Sequence, residues 1–171
     1  MIIEKGVNSY VELTEAENYI ELMYDDVDEK KVYWDSLTET AKEKALIKAC
    51  VVMQRLNFNN SSKSDLNQAL VFPRVAYNIL SGFIELGDKI TLGGIEYPDY
   101  SICQIEQVLS KGIKDKTLSS SGGKEVKSVS IGKVSESYFE GSIAYAESIK
   151  QSTGLTVDAY DYIKHYFKGG V

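Results

Sequence analysis

The chain has 171 residues, of which 43% are hydrophobic and 26% charged, enough for one folded unit with a modest core and too apolar for global disorder. Its formal charge of −6 argues against a general nucleic-acid binder, which needs cationic groups to displace phosphate counterions. The charge is uneven, because residues 1–40 hold 11 acids against 3 bases and leave a small positive excess in the remainder.

In chain order, Ser9-Tyr10-Val11-Glu12-Leu13 reads as an extended lead-in. Thr14 and Glu17 have capping-box spacing, which predicts a first helix from about Glu15 to Met23 with Ala16, Tyr19, Ile20 and Met23 on one face. Asp25 to Lys31 reads as a solvated acidic connector. Trp34 to Leu37 opens a second helix with Thr38 as its N-cap, and Ala41, Ala45, Leu46, Ala49, Val52, Met53 and Leu56 keep a helical period to about Asn57. The alanines allow close approach, so this is expected to be the central, most buried helix.

Asn57 to Asp65 is turn-rich, and Gln68 to Arg74 is extended because Pro73 disfavours helical geometry at Phe72. Across 75–97, Val75 to Leu86 is compatible with a short helix interrupted by glycines, and Ile90-Thr-Leu with a small strand. A further helix starts at Pro98-Asp-Tyr-Ser101, with Ser101 and Gln104 at capping-box spacing, and is expected to end near Lys111-Gly112. Residues 114–125 have the composition of a flexible linker.

Residues 126–138 read as a β-hairpin, with Gly132-Lys133 as a two-residue type II′ turn and Gly132 at φ > 0. After a polar insert at 139–154, which has room for a helical turn around Ile143, a closing helix at about 156–168 has Thr156 as N-cap. Leu155 can staple onto Tyr160, and Ala159, Ile163, Tyr166 and Phe167 form the apolar stripe. Gly169 follows at the C-cap position. The fold class that results is mostly α: a small helical bundle with a protruding β-hairpin arm and a C-terminal helix. It forms one domain over 1–171, its helical core at about 9–113.

Cys50 and Cys103 lie far apart inside helical patterns and read as buried reduced thiols. The N-terminus lacks signal-peptide character, and no stretch reaches the roughly 20 apolar residues of a membrane span. Asp25, Asp26, Asp28 and Glu29 lack the alternate spacing and turn glycine of a calcium loop and read as a solvated face. His165, the one histidine, has no Ser or Cys at a recognisable elbow and reads as a surface or interface residue. No catalytic residue, metal set, phosphate loop or cofactor site emerges, and the expectation is a protein without enzymatic activity.

Four pieces in order carry a resemblance: Ser9-Tyr10-Val11 with Ala16 and Tyr19; Trp34, Leu37 and Thr38 with Glu43 to Ala49; Gln68 to Arg74; and Val126 to Gly132 with its hairpin partner. Together they resemble the head–tail connector (neck adaptor) family of tailed phages, related sequences of which also carry the label of a DnaT-like single-stranded-DNA-binding protein. The likeness covers most of the chain except 75–97 and 139–154. Two departures stand out: no second proline-led loop follows Arg74, and the stretch before the last helix is longer.

The resemblance implies a virion protein assembled in the host cytoplasm. It would form a homo-oligomeric ring, usually a dodecamer, docked to the portal and meeting a tail-side neck or terminator protein. Double-stranded DNA would pass through the lumen without sequence-specific binding, and no membrane is involved. The candidate subunit or portal interface comprises Val129, Ile131, Gly132, Lys133, Val134 and Tyr138 on the hairpin, and Tyr160, Tyr162, His165, Tyr166, Phe167 and Lys168 on the last helix.

The alternative is a single-stranded-DNA-binding module of replication. Tyr160, Tyr162, Tyr166 and Phe167 interleaved with Lys164 and Lys168 would make a stacking platform, although half of these aromatics fall on the buried stripe. Lys111, Lys114, Lys116, Lys124, Lys127 and Lys133 make 111–133 locally cationic, as a solubilising loop or as an arm that meets an acidic partner surface or the DNA backbone.

Overall fold

The computed structural model describes residues 3–58, 61–78, 81–120, 128–131, 134–137 and 148–167, with backbone alone at 78, 114–120, 128–131 and 134–137. Among them are six α-helices: α1 (Leu13–Met23), α2 (Glu29–Asp35), α3 (Glu39–Gln54), α4 (Asp99–Ser120), α5 (described over residues 148–153) and α6 (Val157–Ile163), the last running into a 3-10 turn, Lys164–Tyr166. Seven short strands form three antiparallel sheets. β1 (Ser62–Lys63), β2 (Arg74–Asn78) and β3 (Gly82–Glu85) lie in that order; β4 (Lys89–Leu92) pairs with β5 (Ile95–Pro98), and β6 (Ser128–Ile131) with β7 (Val134–Ser137). The mostly helical class with a hairpin, read from the sequence, is the one observed.

Helix starts follow their caps. Thr38 Oγ1 accepts from the Ala41 amide and Thr156 Oγ1 from the Ala159 amide, as their positions predict. The first helix differs: its capping box is Glu12 with Glu15, so α1 begins two residues before the expected start, and Thr14 lies inside it. The acidic connector is also shorter than expected. Asp28 caps α2 by accepting from the Lys30 amide, and the buried Lys31 draws in Asp26 and Glu21 as ion partners. Trp34 therefore sits in its own short helix, ahead of α3.

The central helix is α4, not α3. Every residue from Ser101 to Ser110 is buried, including Ser101, Gln104, Glu106, Gln107 and Ser110, whereas α3 buries only Leu46, Ala49, Cys50 and Met53. The polar residues of α4 are buried because each has a partner, which removes the desolvation penalty that normally keeps them outside. Gln104 does not close a capping box. Its Nε2 donates to Ser9 Oγ (2.9 Å) and the Leu46 carbonyl (2.8 Å), while Oε1 accepts from the Tyr10 amide (2.7 Å). One side chain thus ties the N-terminal segment and α3 to α4.

Two apolar clusters share α4. One gathers Ala16, Tyr19, Ile20, Trp34 and Leu46 around Ile102, Ile105 and Leu109. The other gathers Cys50, Met53, Phe58, Phe72, Ala159, Ile163 and Tyr166 around Cys103. Both cysteines are free and buried, and burial raises the Cys50 thiol to about 11.

Residues 75–97 hold strands where a short helix was weighed. β2 and β3 form one hairpin (Tyr77 opposite Phe83), and β4 and β5 another. Leu92 pairs with Ile95 across Gly93-Gly94, both at positive φ (56° and 81°), as a two-residue type I′ connection requires. The third hairpin falls where expected, with Ile131 paired to Val134. Its turn, Gly132-Lys133, lies outside the described residues, as do Tyr138, Ile143, Lys168 and Gly169. Helix α4 continues to Ser120, so residues 114–120 are helical rather than linker. Among the described residues no helix is long and apolar enough to cross a membrane.

Candidate nucleic-acid interface

One face of α3, from Ala41 to Val52, and the middle of α4 leave a groove between them. Its floor follows from the sequence: Ala41, Ala45 and Ala49 recur every four residues along one face of α3, and small side chains there leave space that leucines would fill. Leu37, Val52 and Val108 complete an apolar lining, giving a cleft of about 370 Å³. Lys44 and Lys48 on α3 and Lys111 on α4 line the same cleft, and all three are exposed. None makes an ion pair among the described residues, unlike Lys30, Lys31 and Lys42. Tyr33, half-buried at the end of α2, supplies one aromatic face. Its ring lies over Gly112, where an added Cβ would stand 2.0 Å from Cζ.

Gln107 lines the groove and holds the chain before α6, its Oε1 accepting from the Thr156 amide (2.8 Å) and its Nε2 donating to the Gly154 carbonyl (3.4 Å). Beneath lies a buried charge cluster. Glu106 accepts from Lys30 Nζ (2.7 Å), Tyr19 Oη (3.1 Å) and Tyr24 Oη; Lys30 also reaches Asp158 (3.1 Å), which accepts from Ser110 Oγ (2.7 Å). Burial and the neighbouring Glu106 carboxylate raise the Tyr19 and Tyr24 hydroxyls well above the ordinary phenol value. This cluster fixes α1, α2 and α6 around α4 and so fixes the side of the groove that carries Tyr33.

A second cleft, at the other end of α4, has the opposite character. Asp88, Asp99 and Asp161 line it with Ile90, Ile102, Tyr162, Lys164 and His165. Asp99 is buried, which raises its carboxyl above the ordinary value, against the opposing effects of the Tyr166 hydroxyl, His165 and the Tyr100 and Asp88 amides.

The residues selected from sequence have these places. His165 is partly exposed and pairs with Asp99 (Nε2 to Oδ2, 2.9 Å), so it has a carboxylate partner the spacing did not reveal. Tyr166 is 2% exposed, its hydroxyl 2.9 Å from both Asp99 Oδ1 and the Leu86 carbonyl. Tyr160 stacks on Phe167, whose ring packs on Phe58 at 4.7 Å, and Tyr162 packs against both clusters. These aromatics therefore serve the chain's own core and do not form an open stacking face. Val129, Ile131 and Val134 lie on the paired strands β6 and β7; Gly132, Lys133, Tyr138 and Lys168 lie outside the described residues. Of the cationic stretch, Lys111 lines the groove; the side chains of Lys114, Lys116, Lys124, Lys127 and Lys133 lie outside the described residues. Lys44 and Lys48 were missed because, on an amphipathic helix, they read as an ordinary solvated face; their alanine neighbours were the available signal.

A lysine-lined groove with an apolar floor and one aromatic face suits an anionic, partly apolar polymer. The family model described as "Putative DnaT-like ssDNA binding protein" matches residues 2–170. The chain belongs to that family. No curated protein and no solved structure matches it.

Proposed function

We propose that the chain contacts single-stranded DNA through the α3–α4 groove, with phosphates at Lys44, Lys48 and Lys111 and a base against Tyr33. The observation that carries this reading is the convergence of three exposed lysines, without an ion pair among the described residues, on one apolar, tyrosine-bearing cleft in a chain of net charge −6. Stacking on an aromatic beside a cationic track is the usual means of holding single strands without sequence preference. With three lysines and an acidic remainder, binding is weak and salt-sensitive.

A second reading is favoured by the β6–β7 hairpin, which pairs with no further strand among the described residues, and by the acidic residues 1–40. On this reading the chain is a non-enzymatic subunit of a phage neck ring in the virion. It would join portal to tail, the hairpin adding to a neighbouring subunit and DNA passing its acidic surface.

Fluorescence anisotropy with a labelled oligonucleotide tests the first reading. Replacing Lys44, Lys48 and Lys111 together by Ala should abolish binding seen at low salt while leaving the circular-dichroism spectrum intact. Unchanged affinity in the folded triple variant refutes it. Presence of the protein in purified, DNA-filled particles would then support the neck reading, and its absence would remove that too.

A further inference from the structure

We infer that the β2–β3 hairpin is a docking surface for a second copy of this chain, joined edge to edge through β3. In the order β1-β2-β3 the outer side of β3 has no strand partner among the described residues, so its outward N–H and C=O groups are a template for another strand. Neither face of the strand is covered. Phe83 is 73% exposed on one face, with Tyr77 (69%) across the ladder at 5.5 Å, and Ile84 is 42% exposed on the other. Two of the usual protections of an edge are missing as well, since Gly82-Phe-Ile-Glu85 contains no lysine and no proline.

The occupant follows from charge and symmetry. The strand carries one charge, Glu85, and no cation, so a nucleic-acid strand would meet its rings without a phosphate contact. A second copy meets no such conflict. Two-fold antiparallel pairing centred on Phe83 sets Phe83 against the second copy's Phe83, Ile84 against its Gly82 and Glu85 against its Ser81, so like charges never face each other. Four rings from two copies, each about seven-tenths exposed, would cover roughly 400–700 Å² on the usual 150–250 Å² per aromatic. That is below the roughly 1,200 Å² of a stable complex, so the pairing is reversible and concentration-dependent. It is an isologous contact, independent of both functional readings.

Sedimentation equilibrium of the full chain from low to high micromolar concentration tests this. The average mass should rise from one chain toward two, and Phe83→Lys should weaken the association by about tenfold or more, with an unchanged unfolding midpoint. Should Phe83→Lys perturb the fold, Phe83→Thr keeps strand propensity and removes the ring, with the same expected loss. A wild-type chain that stays monomeric throughout overturns the inference, as does association that survives in a folded variant. Loss of oligonucleotide binding in Phe83→Lys with self-association intact also overturns it and assigns the rings to bases.

Discussion

Gly112 gives the sharpest test of how the groove is built. An alanine Cβ there would lie 2.0 Å from Cζ and 2.1 Å from Cε1 of Tyr33, distances no packed pair tolerates, so the ring must leave. In a helix interior, Gly→Ala by itself stabilises by about 0.5–1 kcal/mol. Against that stands an overpacking cost of about 1–3 kcal/mol, at the low end here because the contacted atoms are the far end of a half-exposed side chain. Gly112→Ala should thus range from neutral to about 2 kcal/mol destabilising. In a Tyr33→Ala background the obstacle is gone, and the same substitution should stabilise by about 0.5–1 kcal/mol. Denaturant unfolding of the four proteins closes the cycle, with an expected coupling of about 1–3 kcal/mol. An equal effect of Gly112→Ala in both backgrounds would mean that Tyr33 does not lie over Gly112 and that the groove's aromatic wall is wrongly assigned.

Glu106→Ala removes the acceptor of the Tyr19 and Tyr24 hydroxyls and leaves Lys30 with Asp158 as its remaining carboxylate, and should cost about 1–3 kcal/mol in urea unfolding, with Glu106→Gln, which still accepts from the tyrosines, costing less. Thr38→Ala should cost about 0.5–2 kcal/mol as a lost cap, and Thr14→Ala, the second residue of α1 and not its cap, under about 0.5 kcal/mol by the same assay. Because burial raises the Asp99 carboxyl, the stability from its protonated form is fully present below the ordinary value of 3.8 and is lost as pH rises through the folded value. The melting temperature of Asp99→Asn should therefore gain on wild type as pH rises above 3.8, and a constant difference would contradict the buried placement.

The helices were legible where local chemistry decides them. Thr38 and Thr156 are caps, and the strands of the third hairpin pair where expected, Ile131 with Val134, because each signal acts within a few residues. The strands at 74–98 were legible in part: Ile90-Thr-Leu reads as a strand and lies in β4, whereas 75–86 reads as a short helix, although Gly93-Gly94 between Ile90-Thr-Leu and Ile95-Glu-Tyr is itself a hairpin signal. Its glycines were read as helix breakers. The burial of α4 was illegible for a different reason: Gln104, Glu106 and Gln107 look like a wet face until their partners, which stand 47 to 95 positions away along the chain, are known. Lys44 and Lys48 become a site only through Lys111, on a helix the sequence does not place beside α3. The C-terminal aromatics show the converse, since a pattern fit for stacking bases is used to build the core around Phe58 and Phe72.

The salt dependence of oligonucleotide binding tests the central claim most directly. Three lysine–phosphate contacts on a single strand give a slope of log K against log[salt] of about −2, or roughly 20-fold weaker binding between 50 and 200 mM salt. Each Lys→Ala replacement at 44, 48 or 111 should flatten that slope by about 0.7. A wild-type slope near −2 that steps down with each replacement is the predicted result. A slope unchanged when all three lysines are gone would place the DNA elsewhere on the molecule and contradict the account.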